Sequence, residues 1–370
     1  MHGRRGADEQ TRGGCRRQVF LGTIVYFWCA VSDGIQSSFC LYSSNFLLIS
    51  AMALTGQIAI VTGASRGIGR GIALQLGQAG ATVYVTGRKP AESDAASENY
   101  LPSLEKTAKE ITERGGKGIA AYVDHSNMEE VKQFFERIER DHNGQLDILV
   151  NNAYSAVKTI METADKPFYE CRPEIWDDIN NVGLRNHYFC SVYASRMMVN
   201  NGSGLIVNIS SAGGLRYLFN VPYGVGKQAL DRMSADMAVE LKPKNVCVVS
   251  IWPGAVRTEL ITNMLDSQKA GGKTNERIDI FKDGETTEYP GKAVVALASD
   301  DRRMEKTGRT LITADIGSEY GFRDIDGRDP PNLRSLSFLL SHSGYTQAAQ
   351  WVPLWVKVPG WFLWGASSRL

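Results

Sequence analysis

The chain has 370 residues, of which 43% are hydrophobic, so it is long enough to bury a sizeable core in one large or two ordinary domains. Its 41 basic and 40 acidic residues leave a formal charge of +1, which argues against nucleic acid or another acidic polymer as a partner. Six cysteines without CxxC spacing and five histidines without HExxH spacing predict a reducing compartment, no disulfide framework and no metal site.

Residues 1–51 differ in composition from the rest of the chain. Arginines near the start precede the apolar run Val19–Val31, a pattern of signal-peptide length that is too short and too interrupted to indicate a membrane span. The competing interpretation is an upstream extension from a mis-assigned start, because Met52 stands just before the first predicted strand. We favour the extension, which leaves a domain of residues 52–314 and a C-terminal tail of residues 315–370.

From Ile58 onward, strand-like and helix-like segments alternate. The predicted strands are Ile58–Thr62, Thr82–Thr86, Gly118–Val123, Leu146–Val150, Leu205–Ile209, Val246–Ile251 and one near Thr310–Thr313. The longest predicted helices between them are Ile175–Val199 and Tyr223–Leu241. Because the strands are apolar runs without alternation, the sequence predicts a parallel sheet covered on both faces. The expected fold class is α/β, a single doubly wound Rossmann domain with N- and C-terminal extensions.

Two segments outside this alternation invite functional interpretations. The polar loop Pro253–Tyr289 is predicted to be a lid or binding loop, with disorder as the alternative. The tail carries four of the seven tryptophans, while Pro353 and Pro359 forbid one continuous helix. We consider a membrane interface, a partner surface, or a tail folded back on the domain. The terminal SRL is a conservative variant of a peroxisomal address, which we hold less favoured.

The segment Thr62–Gly69, TGASRGIG, joins the first predicted strand to the first predicted helix. Such a glycine turn places unpaired backbone N–H groups and the positive end of the helix dipole where a phosphate can bind. A glycine cluster alone is weak evidence for a phosphate site, and the alternative interpretation is a simple tight turn.

A second group of residues suits proton transfer. Tyr223 and Lys227 lie one helical turn apart, and Ser210 and Ser211 end a strand at the sheet edge where parallel sheets place ligands. A nearby ammonium favours the phenolate and brings a tyrosine toward the range where it exchanges a proton near neutrality. A serine hydroxyl can hold the substrate oxygen whose charge develops.

Together these motifs resemble the short-chain dehydrogenase/reductases over about Gly56 to Thr313: TGASRGIG, the NNA of Asn151–Ala153, ISS, YGVGK and PGAVRT. The resemblance implies that Tyr223 donates and accepts the proton, that Lys227 binds the nicotinamide ribose, and that Ser211 orients the carbonyl, with Ser210 as runner-up. It also implies a coenzyme site formed by Thr62, Gly63, Ser65, Gly67, Ile68, Gly69, Asp124 near the adenine, Asn151 near the adenosine ribose, Tyr223, Lys227, and Thr258 at the carboxamide.

Coenzyme choice follows from charge at the end of the second strand. An acidic residue there would bind the ribose hydroxyls of NAD, whereas this chain has Arg88, with Arg66 in the glycine turn. Two guanidinium groups suit a 2′-phosphate, so NADPH is expected over NADH. The alternative is a pair of solvated surface arginines.

The chain departs from the family pattern at two positions. Tyr154 stands where NNAG has its glycine, and Gly183 stands where a helix asparagine normally bonds the backbone and holds a water that joins the lysine to solvent. A water chain, Asn180 or Asn186 is the hypothesised replacement for that relay.

The expected function is an NADPH-dependent carbonyl reductase acting on steroids, retinoids or xenobiotic carbonyls, a substrate class implied by the resemblance. The expected location is the cytosolic face of the endoplasmic reticulum, with the cytoplasm as the alternative. A homo-oligomeric state is a further hypothesis. The rival hypotheses are a coenzyme-binding scaffold with weakened catalysis, and a membrane-surface interaction protein built on a reductase fold.

Overall fold

A computed structural model describes residues 53–90, 103–163, 166–263, 281–353 and 355–367. The predicted N-terminal extension, the stretch 264–280 of the predicted lid and the terminal SRL lie outside these residues. The strands of the described chain form one parallel sheet in the order β3-β2-β1-β4-β5-β6-β7. The order reverses direction beside β1, which creates the switch point where doubly wound sheets bind ligands. The predicted Rossmann arrangement is confirmed.

The strand bounds agree with the predicted ones to within two residues. They are Ile58–Thr62 (β1), Thr82–Gly87 (β2), Lys117–Tyr122 (β3), Ile148–Asn151 (β4), Gly204–Ile209 (β5), Val246–Trp252 (β6) and Thr310–Ile312 (β7). The helices are Gly67–Gln78 (α1), Leu104–Glu113 (α2), Met128–Asp141 (α3), Val157–Thr163 (α4), Ile175–Asn180 (α5), Asn186–Asn201 (α6), Val221–Leu241 (α7), Tyr289–Ala298 (α8), Thr313–Tyr320 (α9), Leu336–His342 (α10), Thr346–Trp351 (α11) and Gly360–Ser367 (α12).

Two apolar layers enclose the sheet. Successive residues of β1 point to opposite faces: Ala59 packs in the layer formed with α1, α2 and α8, and Ile60 packs in the layer formed with α3 and α6. Because both faces are covered, every residue of β1, β5 and β6 is buried. Burial of each large aliphatic side chain stabilises the fold by about 1.5–3 kcal/mol, which explains the continuous apolar runs in the sequence.

The prediction of one helix over Ile175–Val199 is wrong. The structure has α5 and α6, separated by a kink within Asn181–Arg185, where Val182 and Gly183 leave helical geometry. Gly183 has φ +144°, a conformation that residues with a Cβ atom rarely adopt. Apolar periodicity continues across this break, so the pattern alone does not reveal it.

The described part of the tail contacts the Rossmann body. Within the tail, Asp315 accepts from Arg334 Nη1 at 2.8 Å and from Lys357 Nζ at 3.0 Å. Between tail and body, Asp326 accepts from Arg257 Nη2 at 2.7 Å, and the ring centroid of Trp364 lies 6.2 Å from that of Trp252. These contacts correspond to the folded-back alternative for this part of the tail. Among the described residues, no helix is long and apolar enough to cross a bilayer.

Candidate active site

The turn between β1 and α1 requires glycines for close packing. Gly63 and Gly67 have φ of +67° and +60°, which glycine adopts without strain. A Cβ atom on Gly69 would lie 2.3 Å from Nδ2 of Asn152 and 2.5 Å from the carbonyl oxygen of Gly63. A side chain at Gly69 would therefore force the turn apart, and one at Gly63 or Gly67 would strain the backbone.

Asn152 anchors the same turn, a role that the sequence did not reveal. Its Nδ2 donates to the carbonyl oxygens of Thr62 at 2.9 Å and Gly63 at 3.1 Å. In return, the Thr62 hydroxyl accepts from the backbone N–H groups of Asn152 at 2.9 Å and Ala153 at 3.0 Å. The NNA motif indicated a functional asparagine, but the prediction named Asn151 and not Asn152.

Asn151, predicted to lie near the adenosine ribose, is the last residue of β4. It has no exposed surface, and its Nδ2 donates to Ser191 Oγ and Asn208 Oδ1, each at 2.9 Å. The side chain therefore joins β4 to β5 and α6, and the predicted position of Asn151 near the adenosine ribose stays a prediction.

A carboxylate of the protein itself, that of Glu259, lies at the first turn of α1. The backbone N–H of Gly67 donates to the Glu259 carboxylate at 2.8 Å, and this carboxylate stands in for a phosphate oxygen at the positive end of the helix dipole. Thr258 lies alongside, with its Cγ2 atom 3.5 Å from the place of a Cβ atom on Gly67. The turn and its neighbours therefore fit a dinucleotide pyrophosphate, which would have to displace Glu259.

The other predicted coenzyme residues surround the ends of β1 to β3. Arg66 is the exposed N-cap of α1. Ser65 just before it and Ile68 in the first turn of the helix are half-buried. Arg88 is exposed just after β2. Burial raises the pKa of Asp124, but hydrogen bonds from Ser126 and the nearby positive charge of Arg88 lower it overall. Arg88 and Asp124 therefore lie close together at one corner of the site.

The start of α7 presents Tyr223 and Lys227 on one buried face. Asn220 caps this helix, because its side chain accepts from the Tyr223 backbone N–H at 3.0 Å, and Pro222 lies in the first turn. The cap fixes where the helix begins and so where the tyrosine points. The Asn-x-Pro spacing of Asn220 and Pro222 is a sequence signal for this cap.

The structure distinguishes the two adjacent serines. The Ser211 side chain hydrogen-bonds with Tyr223, whereas the Ser210 hydroxyl donates to the Lys227 carbonyl oxygen at 3.0 Å. Burial raises the pKa of Tyr223, and the bond with Ser211 partly opposes this. The geometry thus brings Ser211, the predicted residue, to the tyrosine.

Lys227 is almost fully enclosed. Its Nζ donates to the carbonyl oxygen of Ile209 at 3.0 Å, and the side chain is 9% exposed. Burial lowers its pKa to about 8, opposed by the charge of Asp231 one turn further along α7. Asp231 accepts from Ser250 Oγ at 2.5 Å and from Trp252 Nε1 at 3.0 Å, so this carboxyl is fixed beneath the lysine.

An apolar cluster encloses the tyrosine. Its buried members are Ala156, Ile160, Ile175, Ile179 and Tyr223, and its half-buried members are Tyr154, Cys171, Leu218 and Phe219. The Phe219 ring meets the Tyr223 ring edge-on, with centroids 5.1 Å apart. A carbonyl compound that reached this tyrosine would therefore be surrounded mainly by hydrocarbon.

The asparagines proposed as relay groups make other contacts. Asn186 Oδ1 accepts from the Gly183 N–H at 2.7 Å, and Asn180 Nδ2 donates to the Pro222 carbonyl oxygen at 3.3 Å. Asn186 therefore stabilises the helix break, and Asn180 joins α5 to α7. Across the described ranges, no three His, Cys, Asp or Glu side chains converge in a way that could hold a metal ion.

Comparison with known proteins gives one consistent family. The model of the short chain dehydrogenase family matches residues 57–269. The chain is 48% identical over 316 residues to human dehydrogenase/reductase SDR family member 1, covering 85% of this chain and 97% of the relative. It is 31% identical over 241 residues to the chloroplastic NADPH-dependent aldehyde reductase 2 of Arabidopsis thaliana, covering 62% and 86% respectively.

A solved structure shares the fold. A Beutenbergia cavernae protein assigned as an NAD(P)-dependent gluconate 5-dehydrogenase, with bound NADP at low occupancy, matches with a TM-score of 0.58 and 27% identity. The match covers 72% of this chain and 98% of that one. The family model, the long match to the human relative and the parallel sheet agree, so the chain belongs to the short-chain dehydrogenase/reductase family of oxidoreductases.

Proposed function

We propose that the protein is an NADPH-dependent reductase of ketone and aldehyde carbonyls of the steroid, retinoid or xenobiotic class, with Tyr223 as general acid and base. The observation that carries the proposal is the group formed by Ser211, Tyr223 and Lys227, enclosed by an apolar cluster. Apolar walls favour a substrate whose only polar group at the reacting end is the carbonyl.

The three side chains have distinct roles in the proposed reaction. The hydride for the carbonyl carbon comes from the nicotinamide of the reduced coenzyme when it is bound. Ser211 donates a hydrogen bond to the carbonyl oxygen, and Tyr223 gives that oxygen its proton. The charge of Lys227 stabilises the phenolate that Tyr223 becomes. The apolar cluster excludes water, which strengthens each of these electrostatic interactions.

Two observations support NADPH over NADH. Arg66 and Arg88 are both exposed at the corner of the site where the adenosine ribose is expected, and a 2′-phosphate would pair with guanidinium groups. In addition, one relative is named for NADPH dependence and one structural neighbour holds NADP.

The direct test is consumption of NADPH and of NADH by the full chain with a panel of steroid, retinoid and aromatic ketones and aldehydes. Deuterium at the reactive nicotinamide position should appear on the product carbinol carbon. NADPH binding without turnover of any carbonyl would instead support the rival scaffold hypothesis.

The rate of reduction should fall as the pH rises through about 8. Below this value Lys227 is charged and stabilises the phenolate of Tyr223, and above it the ammonium progressively loses its proton. We therefore expect kcat for reduction to fall about tenfold per pH unit above that point. Stopped-flow rates from pH 6 to 10 would measure this, and a flat profile would contradict it.

We further propose that the tail attaches the protein to a membrane surface, on the cytosolic face of the endoplasmic reticulum. Trp351, Trp355 and Trp361 are 88%, 78% and 74% exposed, and tryptophan favours the membrane–water interface. The protein should float with phosphatidylcholine–phosphatidylserine vesicles, and the triple variant with glutamine at these positions should not. Equal flotation of both would overturn the proposal.

A further inference from the structure

The two departures from the family pattern, Tyr154 and Gly183, are in contact. A Cβ atom on Gly183 would lie 2.5 Å from Cδ2 and 2.8 Å from Cε2 of Tyr154, closer than real Cβ atoms approach. The φ of +144° at Gly183 independently disfavours any side chain there. The Tyr154 ring thus occupies the space that a side chain at position 183 would need.

The same ring faces the ammonium of Lys227. Nζ lies 5.0 Å from the centroid of the Tyr154 ring, against 6.0 Å for the Tyr223 ring. Tyr154 also meets Tyr223 edge-on, with ring centroids 6.3 Å apart at 76°. A cation within about 6 Å of a ring centroid is attracted to its face, and more strongly when water is excluded, as it is around this lysine.

We propose that Tyr154 is a positioning residue, whose ring holds Lys227 in place and favours the charged form of the lysine. The asparagine that the family pattern has in the helix, and that would serve the lysine, is replaced by Gly183 in this chain. The proposal rests on the proposed function only for the part that Lys227 takes in proton transfer. The ring performs this role, because the Tyr154 hydroxyl is buried without a hydrogen-bond partner among the described residues. Removing that hydroxyl loses no bond.

Other charged or titratable groups also act on Lys227. Those that face it are Asp231 and Tyr223 on α7, His187 on α6, and Tyr154. Asp231 favours the ammonium, while burial lowers the pKa of His187 to about 3 and keeps it neutral. Substitutions of Tyr154 leave these other groups in place, so a changed titration of Lys227 reports on the ring.

The test compares Tyr154→Phe, which keeps the ring, with Tyr154→Leu, which removes it. The pKa of Lys227 is measured in the coenzyme-free protein from the pH dependence of its acetylation by acetic anhydride, followed by peptide mass spectrometry. We expect the Phe variant to titrate as the parent does and the Leu variant to titrate on the order of one pH unit lower. A Leu variant that titrates like the parent, or a Phe variant that shifts equally, would overturn the proposal.

Gly183→Ala provides a second, independent variant. The new methyl group should push the ring away from Lys227 and lower the lysine pKa in the parent, but not in the Tyr154→Leu background. The backbone strain at φ +144° is present in both backgrounds and cancels in this double-mutant cycle. Additive shifts would refute the coupling.

Kinetics connect this result to the reaction. In a protein that reduces carbonyls, the alkaline limb of kcat should move to lower pH in Tyr154→Leu and stay in place in Tyr154→Phe. The labelling needs neither coenzyme nor carbonyl, so it decides the role of Tyr154 even where no carbonyl is reduced. Failure of the proposed function and failure of this inference therefore give different results.

Discussion

Replacing Tyr223 with phenylalanine should lower kcat for carbonyl reduction by about 10²- to 10⁴-fold, the usual contribution of a general acid. The substitution removes only the hydroxyl that donates the proton, and the ring remains packed against Phe219 in the apolar cluster. Coenzyme affinity and thermal stability should therefore change little. NADPH consumption gives kcat, and quenching of NADPH fluorescence on binding gives the dissociation constant.

Tyr188→Phe is the matched control, because Tyr188 is 54% exposed on α6, outside the cluster around Tyr223. It should reduce carbonyls as the parent does. If Tyr223→Phe retained more than about a tenth of the parent kcat, the hydroxyl would not be the principal proton donor. A joint loss of coenzyme binding and thermal stability would instead indicate damage to the fold.

Arg88→Asp should raise the KM for NADPH by about 100-fold, because a charge-assisted hydrogen bond to the 2′-phosphate is replaced by repulsion. NADH lacks that phosphate, and the new carboxylate can accept from its ribose hydroxyls. The KM for NADH should therefore stay constant or fall. Initial rates with both coenzymes at a fixed carbonyl concentration measure the two effects.

Lys89→Asp makes the same change of net charge at the adjacent exposed residue. A general electrostatic effect would be similar in the two variants, whereas a specific contact would make the effect at Arg88 much larger. Equal effects of Arg88→Asp on the two coenzymes would refute the assignment of NADPH, and Arg88 would then be a solvated surface residue.

Local patterns predicted the scaffold well but missed several contacts of the site. The apolar runs located every strand of the described sheet, and the spacing of Tyr223 and Lys227 placed both on one face of α7. The pattern did not reveal the break at Gly183, because glycine is tolerated within an apolar helical period. The break needs a positive φ and the Asn186 bond, both of which are features of the folded chain.

The two asparagines of the NNA motif illustrate the same limit. Adjacent residues at the end of a strand point to opposite sides, and the sequence does not say which side is the interior. The register of β4 between β1 and β5 directs Asn151 inward and leaves Asn152 beside the glycine turn. The choice between Ser210 and Ser211 likewise depends on the folded chain, in which Ser211 is the serine that reaches Tyr223.

The sequence by itself determined the doubly wound sheet, the glycine turn at its switch point and the Tyr223–Lys227 pair, because each depends on residues close together in the chain. Only the tertiary structure decided that Tyr154 fills the space above Gly183 and faces Lys227, because these residues come from different elements. Two departures that look like separate defects in the sequence are one compensating pair in space. The reason is that packing fixes volumes between elements, which no local pattern records.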